Sequence, residues 1–135
     1  MRTIIYLLFF ILTNSACDSS VNIEQKDILN TIWILNSLNE EGNSIPIPDN
    51  QLYSVQFNDD STVGGKNDCN DFYADYLISQ DSLFIYQLVS TKKGCNGDQA
   101  FSNKYIEALN ITKSLKIKND NLYVYYGNNS ELIFK

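Results

Sequence analysis

Apolar and polar residues alternate along most of the chain beyond residue 30, with the period of two that is typical of strands with one buried face. In the segment 52–57 and again in 72–77, apolar or aromatic residues occupy every second position. Runs rich in Asn, Asp, Ser and Gly separate such segments and are typical of turns. The pattern predicts strands at 31–38, 52–57, 62–66, 72–77, 82–91, 114–118, 122–126 and 131–134.

One segment changes the period from two to that of a helix. Apolar residues recur at helical spacing between Asp98 and Leu109, at Phe101, Tyr105, Ile106 and Leu109. Either Asn96 or Asp98 is suited to cap the start of this helix, because a short polar side chain there accepts from free backbone N–H groups. By contrast, the stretch 40–50 is predicted to be a loop, since Pro46 and Pro48 do not donate to a strand ladder.

About eight strands and one helix predict a mainly β domain of the α+β type. The strands follow one another through short turns, which favours antiparallel neighbours in a compact, β-barrel-like arrangement. Closure would also protect sheet edges that otherwise promote aggregation.

The first residues have the order of a secretory signal. Arg2 precedes the apolar run Ile4–Leu12, and small residues lead to Cys17. This run is too short to span a bilayer, so we expect residues 1–16 to be a signal peptide. The sequence "NSAC" resembles a bacterial lipobox, in which the cysteine is lipidated. We therefore expect a lipidated Cys17 followed by a flexible tether over 17–29, and a folded domain over 30–135.

Charge narrows the classes of partner. The chain carries 10 basic and 16 acidic residues, a net charge of −6. Removal of residues 1–16 takes away one basic residue, Arg2, and no acidic one, which leaves −7. Nucleic acids and anionic lipid headgroups demand a basic face, so neither is an expected partner. Attachment to a membrane would instead depend on the lipid at Cys17, which places the protein in the bacterial cell envelope.

Three cysteines are present and no histidine. With Cys17 lipidated, Cys69 and Cys95 remain in a compartment that permits disulfides. A bridge between them would close a loop of about 25 residues and stabilise the fold by roughly 3–4 kcal/mol. Free buried thiols, a metal site and a reactive thiol are the alternatives. Zinc sites and catalytic cysteines usually include a histidine, so the bridge is the favoured interpretation.

The densest polar stretch, "GGKNDCNDFYADY" at 64–76, has a structural interpretation. Gly64 and Gly65 suit a bulge or a close backbone approach in a strand. Asn70 is predicted to be a buried amide that bonds to backbone at a bend, and recognition of a ligand is the alternative. The aspartates of the stretch lack the spacing of a calcium-binding loop. We therefore predict no catalytic residue, no metal and no cofactor, and we expect the protein not to be an enzyme.

Several segments together resemble a known family. They are "TIWILNSL", "VQFNDDSTVGGKNDCNDFYADY", "LVSTKKGC", "FSNKYIEAL" and "LYVYYGNNSELIF". Their order is similar to that of the META domain family, which includes HslJ-like, heat-inducible envelope lipoproteins. The residues that match the family motif are Trp33, Phe57, Gly65, Cys69, Asn70, Tyr76, Thr91 and Cys95. The resemblance implies a β-barrel-like domain that is secreted or lipid-anchored, associated with envelope stress, and without catalytic residues.

Tyrosines supply a candidate surface for a protein partner. Tyr123, Tyr125 and Tyr126 lie in one short predicted strand, and tyrosine suits interfaces because it joins apolar area to a polar tip. Ordinary packing inside the barrel is the favoured interpretation, because aromatic residues prefer strands. The functional hypothesis is a non-catalytic, stress-related envelope lipoprotein that binds an envelope protein. The alternative is an envelope barrel that binds a small molecule or lipid in its interior.

Overall fold

A computed structural model describes residues 27–135 of the chain. The predicted signal peptide at 1–16, the lipidation at Cys17 and the tether up to residue 26 lie outside the described residues. Within the described part, no helix combines the length and the apolar character needed to cross a bilayer.

Nine strands and one helix are found between residues 27 and 135. The strands are β1 (Trp33–Glu40), β2 (Asn43–Ile45), β3 (Ser54–Phe57), β4 (Thr62–Asn67), β5 (Asn70–Ser79), β6 (Ser82–Ser90), β7 (Ser114–Lys118), β8 (Asn121–Gly127) and β9 (Ser130–Phe134). The helix α1 (Gln99–Asn110) connects β6 to β7. Each predicted element is present, with bounds that agree or differ by one or two residues.

The strands form one antiparallel sheet that closes in a ring. Their order is β2-β1-β3-β4-β5-β6-β7-β8-β9, and β1 also pairs with β9. This closure confirms the predicted mainly β, barrel-like class. The strand β2 was not expected, because a loop was predicted there. It is three residues long, pairs with β1 alone and ends just before Pro46, so the proline does not interrupt a ladder.

Strand pairing around the ring is sparsest between β6 and β7. These strands share the single residue pair Ser82↔Ser114, with flanking backbone hydrogen bonds from Leu83 N to Lys113 O and from Leu115 N to Asp81 O. The helix α1 packs against β6 and also against β4. It therefore lies over the side of the ring that β4 and β6 form.

Aromatic side chains fill the interior of the ring. The alternation predicted for 52–57 is confirmed, since Tyr53, Val55 and Phe57 are all buried. The ring of Phe57 packs edge-on against Tyr76, with centroids 5.0 Å apart. The largest fully buried side chains are Tyr53, Tyr76, Tyr105, Phe57, Phe72 and Phe134. A filled interior gives no support to a ligand held inside the barrel.

The cap and the buried face of α1 follow the sequence prediction. Asp98 caps the helix, because its Oδ1 accepts from Ala100 N at 2.9 Å and Phe101 N at 3.1 Å. The apolar stripe of the helix turns Phe101 and Tyr105 into the core. Of the two candidate caps, Asp98 is thus the one used.

The folded domain begins before residue 30, the boundary expected from the sequence. Ile28 is fully buried in the core, and Leu29 forms a parallel bridge with Phe57. The indole Nε1 of Trp33 donates to Ile28 O at 3.2 Å. Residues 28 and 29, which we expected in the tether, therefore belong to the domain.

Candidate functional site

The bridge between Cys69 and Cys95 ties the β4–β5 turn to the loop between β6 and α1. The two Cα atoms are 5.8 Å apart, within the range that a disulfide spans. Asp68 lies close to both sulfurs. Sulfurs joined in a disulfide are not thiolates, and a thiolate is the form that binds a metal. The predicted bridge is therefore confirmed, and this cluster is not a metal site.

Asn70 holds the same loop by a second set of bonds. Its Oδ1 accepts from Lys93 N at 2.7 Å and from Thr91 Oγ1 at 2.9 Å. Its Nδ2 donates to Lys93 O at 3.3 Å and to Cys95 Sγ at 3.1 Å. The side chain is 8% exposed and uses both donors and both lone pairs. It is the buried amide that the sequence predicted, and its role is structural.

Asp71 adds a charged contact next to this corner. Its backbone N donates to Thr91 Oγ1 at 3.0 Å, and its Oδ1 lies 2.5 Å from Lys66 Nζ. The hydrogen bond from Lys66 lowers the pKa of the Asp71 carboxyl, and Lys93 contributes in the same direction. Asp71 is thus occupied by lysine partners.

Gly65 is required by a close backbone approach. A Cβ at this position would lie 1.8 Å from Ser54 O on β3. The β4–β5 ladder runs through Gly64 and Gly65 without a shift in register, so of the two predicted roles the structure supports close approach.

Seven of the eight family-motif residues gather in two places. Trp33, Phe57 and Tyr76 belong to the core, where the Tyr76 hydroxyl also donates to Asn58 O at 2.8 Å. Cys69, Asn70, Thr91 and Cys95 form the corner just described, which we call the disulfide corner. In both places the motif residues therefore have a structural role.

A polar groove of about 640 Å³ lies between α1 and the loop 90–94, next to the disulfide corner. On the helix side, four lining residues follow one another at spacings of four, three and four positions, so their side chains lie on one face of α1. These residues are Gln99, Asn103, Ile106 and Asn110. Asn67 and Asn70 contribute from the β4–β5 hairpin. Five of the lining side chains are thus amides.

The side-chain oxygen of Asn67 lacks a hydrogen-bond donor in the part of the chain that the structure describes. The residue is 6% exposed, and its Oδ1 has no hydrogen-bond partner among residues 27–135. A buried acceptor left without a donor costs about 1–3 kcal/mol. The sequence does not mark Asn67 as a site residue, because the helix and the loop that enclose it are brought there by the tertiary fold. The Gln and Asn spacing on the polar side of α1 was the available signal.

A second feature lies on the outside of the sheet, where β5 and β6 expose large apolar side chains. We call it the outer apolar face. Tyr73 is 64% exposed and pairs across the strands with Val89 at 65%, while Leu77 at 57% pairs with Phe84 at 52%. Tyr86, 47% exposed, completes the set opposite Asp75.

A β-bulge determines which side chains of β6 point outward onto this face. The β5–β6 register shifts between Tyr73 and Asp75, and Gln87 on β6 has a φ of +56°. Without the shift, the period of two would place Val89 on the same side as the buried Leu83. The bulge instead turns Val89 outward beside Tyr73.

An apolar cleft of about 370 Å³ continues from Tyr73 across β4. The exposed residues Ile32, Ile34 and Leu52 line it together with Gly64. A Cβ at Gly64 would lie 3.3 Å from the Tyr73 ring, so this glycine and the ring are in close contact.

The tyrosines predicted as a partner surface are placed differently. Tyr126 is buried at 6% exposure and donates to Asn39 O at 2.8 Å, so its assignment to a surface was wrong. The period of two in β8 puts Tyr126 on the inner face with Leu122 and Val124. Tyr123 and Tyr125 are half-buried on the other face, where their rings stack with centroids 6.4 Å apart.

Comparison with solved structures shows the same fold in other bacterial proteins. An NMR structure of a protein from Burkholderia xenovorans has a TM-score of 0.67 and 16% identity, covering 81% of this chain and 83% of that chain. A crystal structure of a DUF4847 family protein from Bacteroides vulgatus has a TM-score of 0.61 and 16% identity, covering 81% of this chain and 94% of that one. At such identities the likeness concerns the fold alone.

The comparison with curated proteins gives no match. The family model described as the META domain matches residues 26–135, which is most of the chain and includes all the motif residues from Trp33 to Cys95. The chain therefore belongs to the META domain family.

Proposed function

We propose that the protein is a non-catalytic lipoprotein of the bacterial cell envelope whose META domain binds an envelope protein. The observation that carries this proposal is the outer apolar face, with Tyr73 and Val89 about two-thirds exposed on adjacent strands. A contiguous apolar surface of this kind is typical of a protein interaction site.

The composition of the face suits a protein partner. Two of its five side chains are tyrosines and one is phenylalanine, and aromatic residues are enriched in the centres of protein interfaces. A strand pair also holds the backbone of these residues in a fixed register, which limits the conformational entropy lost on binding. The adjoining cleft at Ile32, Ile34 and Leu52 would extend the contact across β4.

An acidic residue lies on the face, and it indicates that a complementary partner surface would carry positive charge. Asp75 is placed opposite Tyr86, and the mature chain is expected to carry −7. Electrostatic complementarity then favours a partner whose apolar patch is bordered by lysine or arginine.

The proposed anchor keeps the domain near a membrane. Lipidation of Cys17 would leave ten residues between the lipid and Asp27, a reach of at most about 35 Å. A partner in or near the same membrane is therefore within range of the outer apolar face. The association with heat or envelope stress rests on the resemblance to HslJ-like proteins.

Site-specific photo-crosslinking in intact cells tests the proposal. A photoreactive residue replaces Tyr86 in one variant and the exposed Lys116 on β7 in a matched control. We expect position 86 to capture one envelope protein that position 116 does not capture. Identical products from both positions would contradict the proposal.

A further inference from the structure

We propose that the polar groove between α1 and the loop 90–94 binds a neutral saccharide, with the Asn67 amide accepting a hydrogen bond from a ligand hydroxyl. This site lies outside the barrel interior and is separate from the outer apolar face. Its failure in a test would leave the proposed protein partner unaffected, and the reverse also holds.

The groove has the size of a small-molecule site. Its volume of about 640 Å³ falls within the range of about 300–1,000 Å³ that is typical of ligand pockets. Ile106 provides an apolar patch on the helix side, among amide groups. Such a mixture matches a sugar ring, whose C–H groups need apolar contact while its hydroxyls need polar partners.

The amide side chains of the lining are able both to donate hydrogen bonds to hydroxyl groups and to accept hydrogen bonds from them. An amide carries donors and an acceptor, as a sugar hydroxyl carries a donor and lone pairs. Gln99 Nε2 donates to Asn103 Oδ1 at 2.9 Å, which leaves the Asn103 Nδ2 group and the Gln99 Oε1 atom for a ligand. Asn110 adds a third amide on the same face of the helix, about two turns beyond Asn103.

Asn67 is the residue of the groove with an unused buried acceptor. Its neighbour Asn70 already makes four hydrogen bonds within the disulfide corner. Asn67 Oδ1 has no partner in the part of the chain that the structure describes. Because the terminal torsion of asparagine is soft, this amide is able to turn toward a donor that enters the groove.

The charges around the groove favour a neutral ligand. Lys92 and Lys93 line the loop side, and Glu107 lines the helix side. An anion would meet the Glu107 carboxylate and the Asn67 oxygen, whereas a cation would meet two lysines. A ligand without net charge avoids both penalties and still finds donors and acceptors.

The disulfide corner holds one wall of the groove in place. Asn70 and the Cys69–Cys95 bridge fix the segment 91–95, which carries Thr91 and Lys93 into the lining. A preformed wall reduces the entropy lost on binding. The corner, whose own bonds are satisfied, thus supports binding by positioning its neighbours.

Isothermal titration calorimetry on the full lipidated chain, held in a detergent without sugar groups, tests the site. The probes are an N-acetylglucosamine tetramer, a glucose tetramer and inorganic phosphate, each up to about 10 mM. We expect one or both sugars to bind with a Kd on the order of 1 mM or tighter, and phosphate not to compete.

Three variants decide whether the groove is responsible. Asn67→Ala and Asn103→Ala should each weaken sugar binding about three- to tenfold, the effect of one lost hydrogen bond. Asn103 is exposed, so its variant remains informative if the Asn67 variant folds poorly. Asn128→Ala, at an exposed asparagine outside the groove, should bind as the unchanged chain does.

Three results would overturn the proposal. One is the absence of heat from both sugars at the highest concentration, which would leave only water to bond with Asn67. Another is sugar binding that the Asn103 and Asn67 variants leave unchanged, which would place the ligand elsewhere. Competition by phosphate would likewise show an anion site in place of a saccharide site.

Discussion

Asn70 donates a hydrogen bond from Nδ2 to the Sγ of Cys95, 3.1 Å away, while its neighbour Cys69 is covalently bound to the same sulfur. Two consecutive residues at the β4–β5 turn therefore hold the loop that follows β6, one by a covalent bond and one by hydrogen bonds. This arrangement explains why a cysteine and an asparagine stand side by side in the densest polar stretch of the sequence.

Loss of the disulfide should destabilise the domain strongly. The bridge joins residues 26 positions apart. In the chain-entropy model, its removal in Cys69→Ala/Cys95→Ala costs roughly 3–4 kcal/mol in the free energy of unfolding. Urea denaturation with and without reductant measures the effect. Reductant should destabilise the unchanged chain and leave the double variant as it is; equal stability of the two proteins under oxidising conditions would contradict the prediction.

Asn70→Ala should cost about 1–3 kcal/mol even with the disulfide intact, because it leaves the Lys93 N–H and the Thr91 hydroxyl without their acceptor. Asn128→Ala, at an exposed position, is the matched control and should change stability by no more than about 0.5 kcal/mol. Denaturant unfolding compares the two variants. A loss no greater for Asn70→Ala than for the control would rule out its structural role.

Two glycines provide a test of close packing with an internal control. Gly65→Ala would place a Cβ 1.8 Å from Ser54 O, whereas a Cβ at Gly94 would have no neighbour within 4 Å. We expect Gly65→Ala to lower the free energy of unfolding by about 1–3 kcal/mol or to prevent folding. Gly94→Ala should stay within about 0.5 kcal/mol of the unchanged chain. Similar midpoints of thermal unfolding for the two variants would contradict this account.

Tyr126 should make the stability depend on alkaline pH. Burial, with a smaller contribution from Glu40, raises its pKa from 10.0 to about 12. Between these values the folded chain keeps a proton that the unfolded chain has lost, so the free energy of unfolding falls as pH rises from 10 to 12. Below pH 10 this contribution is complete.

The variant Tyr126→Phe tests that dependence. It removes the titrating hydroxyl and also the hydrogen bond to Asn39 O. We expect lower stability at neutral pH and a shallower fall in stability between pH 10 and 12. An equally steep fall, measured by urea unfolding across this range, would show that other groups are responsible.

Local features of the fold were predictable from the sequence. The period of two in 52–57 placed Tyr53, Val55 and Phe57 inside, and Asp98 was a suitable helix cap. The same period in β8 places Tyr126 inside with Leu122 and Val124, and its assignment to a surface overlooked this regular pattern.

Features that depend on distant segments were not predictable in this way. The bulge at Gln87 turns Val89 outward, and it is set by pairing between β5 and β6. The groove at Asn67 arises because α1 packs against β4 and β6, far apart in sequence. Local patterns carry no information about such contacts.

The outer apolar face is the centre of the functional account, and a double variant tests it most directly. Phe84→Thr/Tyr86→Thr changes two side chains that are 52% and 47% exposed, so the thermal midpoint should change little. Tyr123→Thr/Tyr125→Thr, on β8 and separated from β6 by β7, is the control. The measurement is the yield of the partner that co-purifies with the tagged chain after cross-linking in intact cells. The account predicts that the first pair abolishes this yield and that the control preserves it; full recovery of the partner by a folded Phe84→Thr/Tyr86→Thr chain would contradict it.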